Sequence, residues 1–249
     1  MKRFFENIAR FVLFCGRFFG CLWRTREDWR ETLRQMYEIG AKSILLVGVA
    51  GLAIGMVLAM QTSSTLARFG GQSLLPSMIA VAVLREIGPM ITALVVAGRV
   101  GAGIGAELGA MRVTEQIDAM EVAALDPFRY LVATRLLATI LMLPLLTVYA
   151  NALALFGGFL AMRVEESISL KLYFDSAIRF LDFRTVLPAL AKTAVFGFLI
   201  GAIATFLGYH ASGGTHGVGR SAMLAVVLAS LLIIVADVIL VKLTLIFFG

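Results

Sequence analysis

The sequence predicts an all-α membrane protein: an N-terminal interfacial amphipathic helix, then five transmembrane helices, with a short cytoplasmic helix between spans two and three. Three observations predict it. Hydrophobic residues make up 60% of the 249-residue chain and charged residues 15%, with a mean hydropathy of +0.92, far from a soluble balance. Five apolar runs each supply the roughly 20 helical residues that about 30 Å of hydrocarbon requires. Arginine recurs every seventh residue through the first 24 positions, a pattern a spanning helix does not tolerate.

That first segment is the clearest amphipathic pattern. Arg3, Arg10, Arg17 and Arg24 form one drifting stripe at 100° per residue. Phe4, Ile8, Phe11, Cys15, Phe18 and Leu22, helped by Phe5, Val12 and Phe19, line the far side, while Leu13 and Phe14 fit neither face. A basic face opposite an aromatic one marks a helix lying in the headgroup layer. Residues 25–42 are charged and read as a cytoplasmic elbow, so 1–42 forms one region and 43–249 a five-span domain.

Ser43 to Ala67, 25 residues without a charge, is the first span, and its Gly51/Gly55 spacing permits close helix packing. Phe69 to Gly98 is the second, broken only by Arg85 and Glu86, with Pro89 expected to bend the helix beside them. Glycines at 101, 105 and 109 follow, then a charged helix over about 112–122 and Asp126-Pro127. In that helix Val113, Ile117, Met120 and Ala124 form a stripe, with Glu115, Asp118 and Glu121 facing away. It is too short to cross a membrane.

Leu136 to Met162, 27 residues without a charge and containing Pro144, is the third span. The loop beyond it carries a second short helix over about 168–182. Leu170, Phe174, Ile178 and Leu181 fall on one face, and Lys171, Asp175, Arg179 and Asp182 on the other. Thr185 to Tyr209 contains only Lys192, and Ser221 to Phe248 only Asp237 and Lys242.

Several function classes fall away. The glycine-rich loop at 210–220 has no lysine and no Gly-x4-Gly-Lys frame, so the chain has no nucleotide-binding loop of its own. Cys15 and Cys21 fit neither a redox pair nor a zinc site, and His210 and His216 read as loop histidines. The net charge of +6 reflects orientation: with the N-terminus inside, fourteen Lys/Arg fall on the cytoplasmic side and five opposite, which leaves the C-terminus outside. No internal repeat is apparent, which counts against a repeat-built carrier.

Arg85, Glu86, Lys192 and Asp237 all fall inside predicted spans. Each alone would cost roughly 2.5–3.5 kcal/mol on insertion scales, and mutual pairing lowers that cost, so spans two, four and five are expected to meet. Such a cluster either fixes helix order or borders a cavity.

Residues spread from about 44 to 249 closely resemble the MlaE family, permease subunits of ABC transporters that move phospholipid between bacterial envelope membranes. The likeness rests on Gly55 to Leu58 with Gln61, Leu84 to Pro89, Ala97 to Arg99, Ala106-Glu107, Met111-Arg112, Thr114 to Gln116, Ala119 to Glu121, Asp126-Pro127, Leu143 to Leu146, and Lys192. The block from Leu84 to Pro127 is the most specific part. The resemblance implies a homodimer in the inner membrane, seated on two cytoplasmic ATPase subunits that bind ATP and magnesium. It also implies a periplasmic ring of MCE-domain lipid-binding protein and, in some members, a STAS-type cytoplasmic protein. No cofactor or metal would be held by this chain, which would be non-catalytic.

By that likeness Glu115, Gln116, Asp118, Met120 and Glu121 belong to a helix coupling to the ATPase. Leu58, Gln61 and Leu66 look like lipid-cavity residues, and Arg85, Glu86, Lys192 and Asp237 like the charged cluster beneath. Two other classes compete: an ion-coupled carrier using Glu86 and Asp237, and a membrane scaffold that only anchors a lipid-binding ring.

Overall fold

In the computed structural model, residues 2–21, 28–68, 70–165, 168–179 and 182–248 are described. The expected places of Leu22, Arg24, Phe69 and Leu181, and part of the elbow, lie outside them. Every regular element among the described residues is helical: α1 (Lys2–Cys21), α2 (Trp29–Arg68), α3 (Leu75–Ala82), α4 (Gly88–Val96), α5 (Ala102–Val113), α6 (Gln116–Val122), α7 (Thr134–Glu165), α8 (Leu170–Ile178), α9 (Phe183–Tyr209) and α10 (Gly214–Phe248). Five stretches are long and apolar enough to cross a membrane: Trp29–Leu66, Leu75–Val113, Phe128–Val164, Val186–Tyr209 and Gly214–Ile246. The protein is therefore a multi-pass membrane protein.

The first two spans are longer than expected. Residues 29–42 are not an elbow but the first turns of α2, and span two continues past Gly98 through the glycine-spaced segment to Val113. At 1.5 Å per residue, 38 and 39 residues reach well beyond the hydrocarbon, so the charged turns extend into water as helix. Span two is helical throughout but shifts register twice, through π-helical turns at Val83–Ile87 and Ala97–Gly101. A third such turn, Phe128–Ala133, opens span three.

The chain folds as two compact units. One comprises residues 1–42, 96–142 and 196–233. Its core is aromatic: Phe14, Phe18, Phe128, Val132, Ala133, Leu136 and Ala202. Phe14 meets Phe128 edge-on at 4.9 Å between centroids and Phe206 at 5.3 Å, geometries that aromatic quadrupoles favour. This corrects the reading of α1. Phe14, which fitted neither face, is 8% exposed, whereas Phe5, Val12 and Phe19 are more than 60% exposed. The apolar side of α1 is thus split, one row packed on protein and one left open.

The other unit comprises residues 43–95, 143–195 and 234–249. Here α2 packs backbone to backbone on α7. A Cβ on Gly55 would lie 1.8 Å from the Ala154 carbonyl oxygen, and one on Gly51 would lie 2.6 Å from that of Ala150. Ala59, Leu75, Ile79, Val83, Phe159, Met162 and Tyr173 fill the core beside this contact. Ser169 caps α8 by accepting from the Leu172 N–H at 3.3 Å. The face α8 buries differs from expectation: Tyr173 and Ala177 are fully buried, while Leu170 and Ile178 are exposed. The aromatic ring decides this, because Tyr173 packs edge-on against Phe159 at 5.7 Å and outweighs the smaller aliphatic stripe.

Candidate functional site: an ion cluster and a surface helix

Two carboxylates of the second unit, Glu86 and Asp237, converge on one ammonium group. The π-helical turn Val83–Ile87 carries Arg85 and Glu86, closed by the Gly88 N–H donating to the Val83 carbonyl. Pro89 follows at once and supplies no N–H, so the wider turn absorbs the register change that proline forces. It sets Glu86 toward α9, where Lys192 sits one turn after Pro188.

Lys192 is 3% exposed along its side chain and donates to Glu86 Oε2 at 2.6 Å. Its ammonium also lies 2.8 Å from Asp237 Oδ1 of α10. The second contact is an ion pair without an aligned hydrogen bond. Arg85 Nε stands 3.7 Å from Glu86 Oε1, and both of these side chains keep more than a third of their surface open. Spans two, four and five thus meet, as the cost of lone charges requires. The four groups sum to zero formal charge, which lowers the penalty of holding them at membrane depth.

One side of the cluster faces a groove of about 370 Å³ between α9 and α10, lined by Leu187, Pro188, Ala191, Lys192, Val195, Leu240, Leu243 and Thr244. Of the span-one candidates, Leu58 and Leu66 are half-buried against the core of the same unit. Gln61 is exposed, and its carbonyl accepts from Ser64 Oγ at 3.1 Å and Thr65 Oγ1 at 3.3 Å. No hydrogen bond or ion pair joins these three to the charge cluster among the described residues.

In the first unit, α6 begins where Glu115 adopts a left-handed conformation, φ 59°. Arg112 pairs with Asp118 across this turn. Ile117 is fully buried and Val113 and Met120 are half-buried, but Ala124 is exposed because the chain leaves the helix and turns left-handed there, φ 58°. Glu115, Gln116 and Glu121 face out, and so do Val122, at 90% exposure, and Leu125. A surface helix that ends in bare apolar side chains offers both charge and greasy area to a protein.

This corner is tied to its surroundings by ion pairs that sequence reasoning did not single out. Asp126 Oδ1 accepts the N–H groups of Phe128 (3.1 Å) and Arg129 (3.4 Å), capping the helical run into α7. The same oxygen takes Arg17 of α1 at 3.4 Å, whose guanidinium also lies 4.3 Å from the centroid of the Phe128 ring. Arg129 pairs with Asp28 at 2.9 Å. Arg135, one of the fourteen Lys/Arg counted on the cytoplasmic side, is 3% exposed inside α7, where it holds Glu107 of α5 at 2.8 Å and the Leu131 carbonyl at 3.0 Å.

Residues 32–243, most of the chain, match the family model described as Permease MlaE. The chain belongs to the MlaE permease family. Its similarity to the permease MlaE of the intermembrane phospholipid transport system of Haemophilus influenzae is 32% identity, covering 99% of this chain and 94% of that one. A probable ABC transporter permease protein of Rickettsia typhi is 36% identical over 82% of this chain and 79% of its own. The chloroplastic protein TRIGALACTOSYLDIACYLGLYCEROL 1 of Arabidopsis thaliana is 36% identical over 85% of this chain and 61% of its own. MlaE-family membership thus covers both the ion cluster of Glu86, Lys192 and Asp237 and the α6 corner.

Proposed function

We propose that the chain is the permease subunit of an ATP-driven phospholipid transporter. The observation that carries this reading is the match along 99% of the chain to a permease named for intermembrane phospholipid transport. Two copies form a homodimer and enclose a lipid cavity bordered by Leu58, Gln61 and Leu66, with Arg85, Glu86, Lys192 and Asp237 beneath it. A cavity of this kind needs apolar walls for acyl chains and a small polar floor, which a neutral ion cluster supplies.

Energy arrives from outside the chain. A cytoplasmic ABC ATPase, holding ATP and magnesium, grips α6 through Glu115, Gln116, Asp118, Met120 and Glu121; the permease itself is non-catalytic. The exposed Val122 and Leu125 support this docking. The subunit lies in the bacterial inner membrane with its N-terminus cytoplasmic and C-terminus periplasmic. A periplasmic MCE-domain lipid-binding protein completes the assembly, to which some members of the family add a STAS-type cytoplasmic protein.

The test is purification of the chain from its native membrane with whatever binds it, followed by mass spectrometry of the proteins and extracted lipids. An ABC ATPase and stoichiometric phospholipid are expected. Charge reversal at Asp118 and Glu121 should then release the ATPase and abolish ATP-dependent lipid transfer. Transfer that survives both reversals would leave the chain a scaffold, and transfer driven by a proton gradient without ATP would make it a carrier.

A further inference from the structure

The cytoplasmic start of α2 leaves an apolar strip uncovered. Trp29, Leu33 and Tyr37 recur every fourth residue along one side of the helix and are 45%, 47% and 70% exposed, while Thr32, Gln35 and Ile39 are buried on the other. Arg30 and Arg34 flank the strip and are exposed as well. Glu31 is turned into the fold instead. Its side chain is 11% exposed and accepts from Gln35 at 2.8 Å and from Tyr130 at 3.4 Å, with Arg34 at 3.6 Å. The strip is therefore apolar with a basic edge.

Lipid does not reach the lower part of this strip. Lys42, the last charge before the uncharged run from Ser43 to Ala67, is 61% exposed and so lies no deeper than the headgroup layer. Leu33 and Trp29 come earlier in the same unbroken helix, about 14 and 20 Å below Lys42 at 1.5 Å per residue. The headgroup layer is only about 5–8 Å thick. A tilt of about 40°, the steep end for spanning helices, still leaves about 10 and 15 Å. A second copy does not suit the strip either. A two-fold axis along the membrane normal would set Arg30 and Arg34 against the same residues of the other chain.

The same end of α2 is bonded to the segment that follows α6. Arg129 pairs with Asp28 at 2.9 Å, and Tyr130, itself 40% exposed, reaches Glu31. Trp29 and Leu33 thus share a cytoplasmic corner with the exposed Val122 and Leu125. We propose that Trp29, Arg30, Leu33 and Arg34 form a second docking point for the ATPase that grips α6, and that they take an apolar surface edged with carboxylates. This inference rests on the transporter reading above. α6 presents Glu115 and Glu121 to the outside, whereas α2 presents arginines, so the two points are opposite in charge and fix the orientation of a subunit seated on both. A soluble domain about 30 Å across reaches over such a corner.

The test is photocrosslinking in the membrane, with benzoylphenylalanine in place of Leu33, Val122 or Leu45 of the full chain and the cognate ABC ATPase co-expressed. Leu33 and Val122 positions should each join the ATPase, and the Leu33 adduct should map by peptide mass spectrometry to a stretch containing Asp or Glu. The Leu45 position, 78% exposed within the uncharged run, should join lipid. In the purified complex, Arg30→Glu with Arg34→Glu should weaken ATPase binding by about tenfold, while Arg30→Lys with Arg34→Lys keeps it. An ATPase adduct at Val122 with only lipid, a second copy or nothing at Leu33 would overturn this proposal and leave the transporter reading standing. No ATPase adduct at either position would overturn both. Equal binding by the glutamate and lysine variants would overturn a docking point matched by charge.

Discussion

Lys192 donates to Glu86 across 2.6 Å, joining residues 106 positions apart, and this bond closes the contact between span four and the π-helical turn of span two. The ammonium is almost wholly buried and its second carboxylate neighbour, Asp237, is 14% exposed. Removing Lys192 leaves Asp237 without its cation and Glu86 with only the part-exposed Arg85, 3.7 Å away. Breaking a buried pair in this way costs roughly 3–5 kcal/mol.

Lys192→Met should therefore lower the thermal unfolding midpoint of the reconstituted protein clearly, and more than Asp237→Asn, which leaves Lys192 its better-aligned partner. The exchange Lys192→Asp with Asp237→Lys should recover part of the loss, because the charges again oppose. If the double exchange is no better than Lys192→Asp alone, the pair does not act as a pair.

Asp126 has two roles that substitution can separate. Its Oδ1 caps the start of the helical run into α7 and also meets Arg17, more than half exposed. Exposed ion pairs contribute about 0–1 kcal/mol, whereas losing a cap costs about 1 kcal/mol. Asp126→Asn, which keeps an accepting oxygen, should leave stability near wild type. Asp126→Ala should lose about 1 kcal/mol by denaturant or thermal unfolding in detergent. Equal losses in the two variants would assign the effect to Arg17 instead.

How far the sequence announced these features depends on whether a residue's environment is local. The spans were legible because hydrocarbon thickness acts on every residue of a run, and the meeting of Glu86, Lys192 and Asp237 was legible because a lone charge in lipid has few escapes. Phe14 and the Tyr173 face of α8 were not. Their burial is decided by rings on other helices, Phe128 and Phe159, which periodicity along one helix does not report. The burial of Arg135 was not legible for a similar reason: nothing within α7 marks that Glu107 waits on α5. The start of α2 at Trp29 was missed because hydropathy measures lipid, not helix, and a charged helix outside the membrane looks like a linker.

The approach of α2 to α7 sets a steric prediction. Gly55 has no room for a side chain, since the Ala154 carbonyl occupies the Cβ position. Gly55→Ala should force the two helices apart and lower the unfolding midpoint. Gly98, with open space where its Cβ would stand, is the internal control and should accept alanine without loss. Comparable midpoints for both variants would show that α2 and α7 are not in backbone contact.

Tyr173 makes the last prediction, and it concerns pH. Its hydroxyl is buried among Ile79, Phe159 and Gly158 with no hydrogen-bond partner among the described residues. Burial pushes the phenol pKa up to about 12. An unfolded tyrosine titrates near 10, so between about 10 and 12 the native state holds a proton that the unfolded state has lost. The corresponding stability is complete below about pH 10 and disappears as pH rises to about 12. Tyr173→Phe removes both the ionisable group and an unsatisfied hydroxyl, whose burial costs about 1–3 kcal/mol. The variant should be at least as stable as wild type at pH 7, and the difference between them should widen from pH 10 upward. A less stable phenylalanine variant with an unchanged pH profile would mean that the hydroxyl has found a partner within the fold.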